Sequence, residues 1–322
     1  DVGTLSITGT GSGNVIVTEA STLALGATTV GGTFSGTATT GDITDSGALA
    51  ITGAATFITG ATGSNIVLDG SSNAFSNSVE MKADDGTEAF GNITFVDSAA
   101  IDLDSSASAN GDLFINAGTD GAISGDLSIT ATTGNITQNI ALTIGGTSSF
   151  TTSASNATIT LSTDSNALTG AVSASTAGSS GDVTIDNGTT ALNLGTLTAN
   201  GALSVRGGNG ITDSGVITVS GTSLFHSDVT AKVITLDSVN AMTGAVSITH
   251  TGSADVAIDN GTTALNLGTV SVGQNFEARS GNGITDSGVI TVAGTSLFHS
   301  DVTGKVITLD SVNAMTGAVS IT

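Results

Sequence analysis

The chain has 322 residues with Gly 45, Pro 0, Cys 0, Trp 0 and Tyr 0, and its 27 acidic groups against five cations give a formal net charge of −22. That balance excludes nucleic acid and anionic lipid as electrostatic partners, and the lack of cysteine excludes disulfide staples and thiol chemistry. With 38% hydrophobic residues and a mean hydropathy of +0.33 the chain is too apolar for disorder, yet no run approaches the roughly 18 apolar residues of a membrane helix.

The predicted elements are short strands, read in order from DVGTLSIT, which carries neither an initiator Met nor a secretory pattern and reads as a processed or excised piece. Residues 1–8 close a preceding repeat, since VGTLSIT (2–8) has the phase of TGAVSIT (243–249 and 316–322). The first repeat, 9–81, contains Ile43, then Phe57, the pair Ile66/Leu68 and Asn73. The second, 82–175, repeats the series as Ile136, Phe150, Ile159/Leu161 and Asn166. It also holds an insertion of the type GDLFINAGTDGAISGDLSIT (111–130), a strand-turn-strand unit expected to add one extra coil. In the third, 176–249, the series is Ile211, Phe225, Ile234/Leu236 and Asn240, and in the fourth, 250–322, it is Ile284, Phe298, Ile307/Leu309 and Asn313.

Residues 208–249 and 281–322 align at an offset of 73 with 40 of 42 positions identical. The spacing of two in each aliphatic pair is the strand period, so Ile234 and Leu236 face inward and Thr235 outward. Gly, Asn, Ser and Asp bound each run, the residues that accept turn dihedrals or bond their own backbone. Short strands following one another around corners make a solenoid. The predicted fold is an all-β, right-handed parallel β-helix with a 73–75-residue repeat and about 15–20 residues per coil, four coils to a repeat. Its core ladders are the four Phe and the Ile and Leu pairs, with Asn73, Asn166, Asn240 and Asn313 at turns.

Within ITDSGVITVSGTSLFHSD (211–228), Asp213, Ser214, Ser223, His226 and Asp228 are the residue types of a hydrolase triad. His226 recurs as His299, but Ile58 and Thr151 replace it in the older copies, and Gln138 replaces Asp213. Its neighbour Phe225 is inward, so His226 is predicted to face solvent, and Asp213 to be a turn residue. No catalytic residue and no cofactor is assigned. The acidic stretch EMKADDGTE (80–88) reads as a solvated loop, with Asp84, Asp85 and Glu88 as weak Ca²⁺ candidates. Asn-x-Ser/Thr sequons at Asn92, Asn135, Asn156, Asn187 and Asn260 are candidate glycan sites.

GDITDSGALAITGAATFITG (41–60), GNITQNIALTIGGTSSF (134–150) and SNALTGAVS (165–173) resemble the β-strand repeats of filamentous-haemagglutinin-like bacterial surface proteins, the passengers of two-partner secretion. The resemblance covers nearly the whole chain. It implies a right-handed parallel β-helix, an extracellular or cell-surface location on a Gram-negative bacterium, an outer-membrane secretion partner, and a fibrous adhesin role with host or matrix glycans as partners. The expected function is structural and non-enzymatic: a filament or adhesin stalk that extends by further repeats or by end-to-end stacking of copies. The alternatives are a carbohydrate-active or carbohydrate-binding β-helix and, more remotely, an ice-binding solenoid presenting Thr rows.

Overall fold

The computed structural model describes residues 3–83, 90–116, 121–250 and 252–322. Every element among the described residues is a β-strand, and the strands pair in parallel. The chain is an all-β parallel solenoid of about 14 turns, with about 22 residues to a turn. No helix among the described residues is long and apolar enough to cross a membrane. The chain divides into two compact units, residues 1–163 and 164–322.

In the first unit one sheet stacks Leu5–Gly9, Leu23–Val30, Ile43–Asp45, Ile66–Leu68, Ile93–Asp97, Leu127–Ala131 and Ser148–Ser155. Alternate passes of the chain form the facing sheet, from Val15–Glu19, Phe34–Ala38 and Ala55–Thr59 to Ile136–Gln138 and Ile159–Leu161. Between the sheets the aromatic rings stack, with centroid separations of 5.5 Å for Phe34–Phe57, 6.1 Å for Phe57–Phe75 and 5.3 Å for Phe75–Phe95. Edge and tilted contacts of this kind add to the area each ring buries.

The insertion departs from the expected extra coil. In one sheet Ile93 pairs directly with Leu127, so nothing has been added there. In the other sheet Asp112–Asn116 is wedged between Val79–Ala83 and Ile101–Asp104, one additional strand and no more. A loop closes back on the start of Ile101–Asp104 and lays the new strand parallel beside it, so only one face is widened.

The second unit follows the same plan. One sheet runs Ala171–Ala177, Leu192–Ala199, Ile211–Asp213, Ile234–Leu236, Val256–Asp259, Phe276–Ser280, Ser296–Ser300 and Val319–Ile321. The other runs Val183–Asp186, Leu203–Arg206, Ser223–Ser227, Ala245–His250, Leu265–Val272, Ile284–Asp286 and Ile307–Thr308. Ile211 and its repeat partner Ile284 therefore lie in opposite sheets, as do Phe225 and Phe298. Seven passes, an odd number, separate them. The 73-residue repeat is three and a half coils of about 21 residues, not four of 15–20, and successive repeats are turned by half a revolution.

Phe57, Phe150, Phe225, Phe298, Ile66, Leu68, Ile159, Leu161, Ile234 and Leu236 are all fully buried. Ile307 and Leu309 are only half-buried, because their coil is covered from one side alone. At one corner glycines stack so closely that a Cβ on Gly244 would lie 2.1 Å from the Gly221 carbonyl oxygen. A side chain there would force the coils apart.

Candidate functional site

Of the apparent triad only His226 and Asp228 come together, and neither Ser223 nor Asp213 joins them. On Ser223–Ser227 the side chains alternate, with Ser223 buried, Phe225 buried and His226 half-exposed on the outer face. The Ser223 hydroxyl points into the core and has no hydrogen-bond partner among the described residues. Asp213 belongs to the facing sheet. A nucleophile and base on opposite faces of one strand cannot exchange a proton.

Asp213 instead clamps the next coil. Its carboxylate accepts from the backbone amides of Asp237 at 3.0 Å and Ser238 at 3.3 Å, and from Asn240 Nδ2 at 2.7 Å. The Asn240 oxygen in turn accepts from the Ile217 amide at 2.8 Å. Asp45 with Asn73 and Asp286 with Asn313 repeat the arrangement, at 2.7 Å and 2.6 Å. In the second repeat Gln138 stands at the Asp position and donates to the Ile140 carbonyl at 2.6 Å, while Asn166 Nδ2 donates to the Asp186 carbonyl at 2.8 Å. The turn Asn residues are thus corner fasteners.

Two of these clamps titrate in opposite directions. Burial pushes Asp45 above the usual carboxylate range despite the bonds from Asn73, Asp69 and Gly70, and the charge of Asp69 pushes the same way. Burial also acts upward on Asp286, but the bonds from Asn313, Asp310 and Ser311 outweigh it and hold that carboxyl below the usual range.

A second fastening runs along another corner. Asp42 accepts from the Asn65 amide at 2.8 Å, Asn65 from Asn92 at 2.7 Å, Asn92 from Asp126 at 2.8 Å, and Asp126 from Thr147 at 2.7 Å. Each of these residues precedes a strand of the first sheet, so the side chain reaches the amide one coil on. Asp255, Asn275 and Thr295 continue the same device in the second unit, each step at 3.0 Å.

The outer face carries a charged ladder that separate inspection of the cations does not reveal. Asp186, Arg206 and His226 are direct partners on three successive strands. Arg206 bonds Asp186 at 3.0 Å and also Asp228, which is held by His226 Nε2 as well. Burial acts upward on Asp228, but Arg206 and His226 overcome it and keep the carboxyl below its usual range. Half a turn round, Asp259, Arg279 and His299 repeat the ladder, with Arg279 to Asp301 at 3.2 Å and His299 to Asp301 at 2.9 Å. These groups are substantially exposed, so each pair contributes at most about 1 kcal/mol.

Beside the second ladder an open depression of about 300 Å³ is lined by Thr235, Asp237, Ala257, Asp259, Glu277 and Arg279. On the inserted strand and its neighbour, carboxylate oxygens of Asp102, Asp104 and Asp112 lie within 4.8 Å of one another. Each already has a partner: Thr137 on Asp102, Asn139 on Asp104, and the Ser108 and Ala109 amides on Asp112. The Ca²⁺ candidates Asp84, Asp85 and Glu88 lie outside the described residues.

The glycan candidates divide by burial. Asn92, Asn135 and Asn156 are exposed, whereas Asn187 and Asn260 are 0% exposed. Asn187 accepts from the Leu168 amide and donates to the Leu168 and Ala191 carbonyls, and Asn260 does the same with Met242 and Ala264. A glycan on either folded position has no room. The outward rows do not form a Thr array either: one reads Thr44, Val67, Thr94, Ser128, Ser149.

No curated protein and no solved structure matches the chain. A family model described as "Repeats of unknown function (DUF5649)" matches four segments, residues 12–82, 115–175, 180–249 and 253–322. The matched segments span most of the chain, which therefore belongs to the DUF5649 repeat family.

Proposed function

We propose that this solenoid is a structural, non-enzymatic segment of an extracellular filament or adhesin stalk, one whose work is reach, stiffness and the presentation of a repeated acidic surface. The observation that carries this reading is the use of its polar side chains: Asp45, Asp213 and Asp286 with their Asn partners fasten coil to coil instead of converging on a substrate. Parallel strands without such corner bonds would rely on backbone ladders and a narrow core alone. The half-turn between repeats supports a presenting role, since the same residues recur on opposite faces. The resemblance to two-partner-secretion passengers supports a cell-surface location on a Gram-negative bacterium, with growth by further repeats or by stacking of copies.

Electron microscopy of the purified native material tests the proposal. Long unbranched fibres with an axial layer spacing of about 4.8 Å support it. Isolated rods that cleave a polysaccharide overturn it.

A further inference from the structure

Nine of the ten Phe residues are buried in the core. Phe114 is not. It lies on the inserted strand Asp112–Asn116, where Leu113 and Ile115 face inward and leave its ring on the outer surface, half-buried. The family matches stop at residue 82 and resume at 115, so this ring sits in the stretch that breaks the repeat. Insertions on a repetitive scaffold often carry its binding face.

The surroundings of the ring are ordered polar groups. In register, Phe114 has Glu80 on one side and Asp104 on the other, spanning about 10 Å across the sheet. Asn116 Nδ2 donates to Glu80 at 2.7 Å, and Asn139 Nδ2 donates to Asp104 at 2.7 Å. An amide–carboxylate pair therefore stands on each side of an outward, half-buried aromatic ring. The faces of a pyranose ring are apolar C–H surfaces, and its rim carries hydroxyls that donate and accept together. Such a ligand stacks on an aromatic and bonds paired carboxylates and amides. One cation, Lys82, stands opposite Asn116, but the carboxylates of Glu80, Asp104 and Asp102 outnumber it and disfavour uronic or sulfated sugars.

We propose that the outer face centred on Phe114 is a binding site for a neutral saccharide, with Glu80, Asn116, Asp104 and Asn139 engaging its hydroxyls. This site is independent of the stalk reading, and an inert Phe114 would leave that reading standing.

The test is native affinity electrophoresis of the full chain in gels containing laminarin, galactomannan, xyloglucan or, as the anionic comparison, alginate. The expected result is retardation by at least one neutral polysaccharide and none by alginate. Phe114→Leu, which keeps the bulk and loses the ring, should abolish retardation, while Phe114→Tyr retains it, with folding of each checked by circular dichroism. Asn116→Ala provides a second variant on the exposed face and should weaken apparent affinity about tenfold. Failure of every neutral polysaccharide to retard the native chain, retardation by alginate, or retardation of the Phe114→Leu and Asn116→Ala variants as strong as that of the native chain, overturns the proposal.

Discussion

Asn240 holds two coils at once: its Nδ2 donates to Asp213 at 2.7 Å, and its oxygen accepts from the Ile217 amide at 2.8 Å. The side chain is almost wholly buried, so no water replaces it when it is removed. Asn240→Ala leaves a buried amide without an acceptor and should cost about 1–3 kcal/mol. Denaturant unfolding measures this loss. A double-mutant cycle with Asp213→Ala should return a positive coupling, because the two residues share one bond. Additive losses would mean that the clamp is incidental to stability.

Phe225 and His226 are sequence neighbours with opposite surroundings, one fully buried and the other half-exposed. Phe225→Ala should open a cavity and cost about 3–5 kcal/mol. Because coils contact mainly their neighbours, the damage should be local, seen as faster amide exchange in Leu203–Arg206 and Ala245–His250, the strands on either side. His226→Ala removes one partner of an exposed pair and should change stability by less than about 1 kcal/mol. A hydrolytic activity that disappears with His226→Ala at unchanged stability would contradict the non-catalytic reading.

Much of this fold was legible because a strand declares its buried face by a period of two. Phe57, Ile66 and Leu68 and their repeat counterparts mark the core by spacing alone. The coil length was not legible. Seventy-three residues divide as readily into four coils as into three and a half, and nothing in a residue's identity says which sheet it joins. The clamps were hidden for the same reason. Asp213 and Asn240 are 27 residues apart, and Asp186 and Arg206 are 20 apart, distances that become contacts only once the coil length is known. The burial of Asn187 and Asn260 was not legible either, because a sequon carries no record of it. Phe114 carried no signal in the repeat series, because it has no counterpart there and only the inserted strand's own register turns it outward.

The burial of Asn187 and Asn260 gives a direct expectation for material expressed in a glycosylating host. Both amides are fully enclosed and hydrogen-bonded, so a glycan at either site is incompatible with the folded coil. Peptide mass spectrometry of the soluble folded product should find both unmodified, with any glycan confined to Asn92, Asn135 or Asn156, which are exposed. Full occupancy at Asn187 in folded protein would mean that this corner is built differently.

Two buried carboxyls should give the stability curve opposing slopes. Burial raises Asp97 above its ordinary value, and the amides of Phe75, Ser98 and Ala99 only partly offset this. Its ladder partner, Ala131, is uncharged. The native state therefore holds the proton more tightly than the unfolded chain, whose value is about 3.9. The resulting stability is fully present below that pH and is lost as pH rises through the folded value. Asp286 has the opposite sign, because bonds from Asn313, Asp310 and Ser311 overcome burial. Its contribution is present above the unfolded value and is lost as pH falls through the lowered folded one. Asp97→Asn should therefore raise the melting temperature at neutral pH and lose that advantage in acid. Asp286→Asn should lower it at neutral pH, since an amide has one acceptor oxygen where the carboxylate uses two, Oδ2 for Asn313 and Oδ1 for the Asp310 and Ser311 amides, with the deficit shrinking in acid. Melting curves followed by circular dichroism between about pH 3 and 8 separate the two. Parallel pH profiles for both variants would show that neither carboxyl's environment sets the acid response.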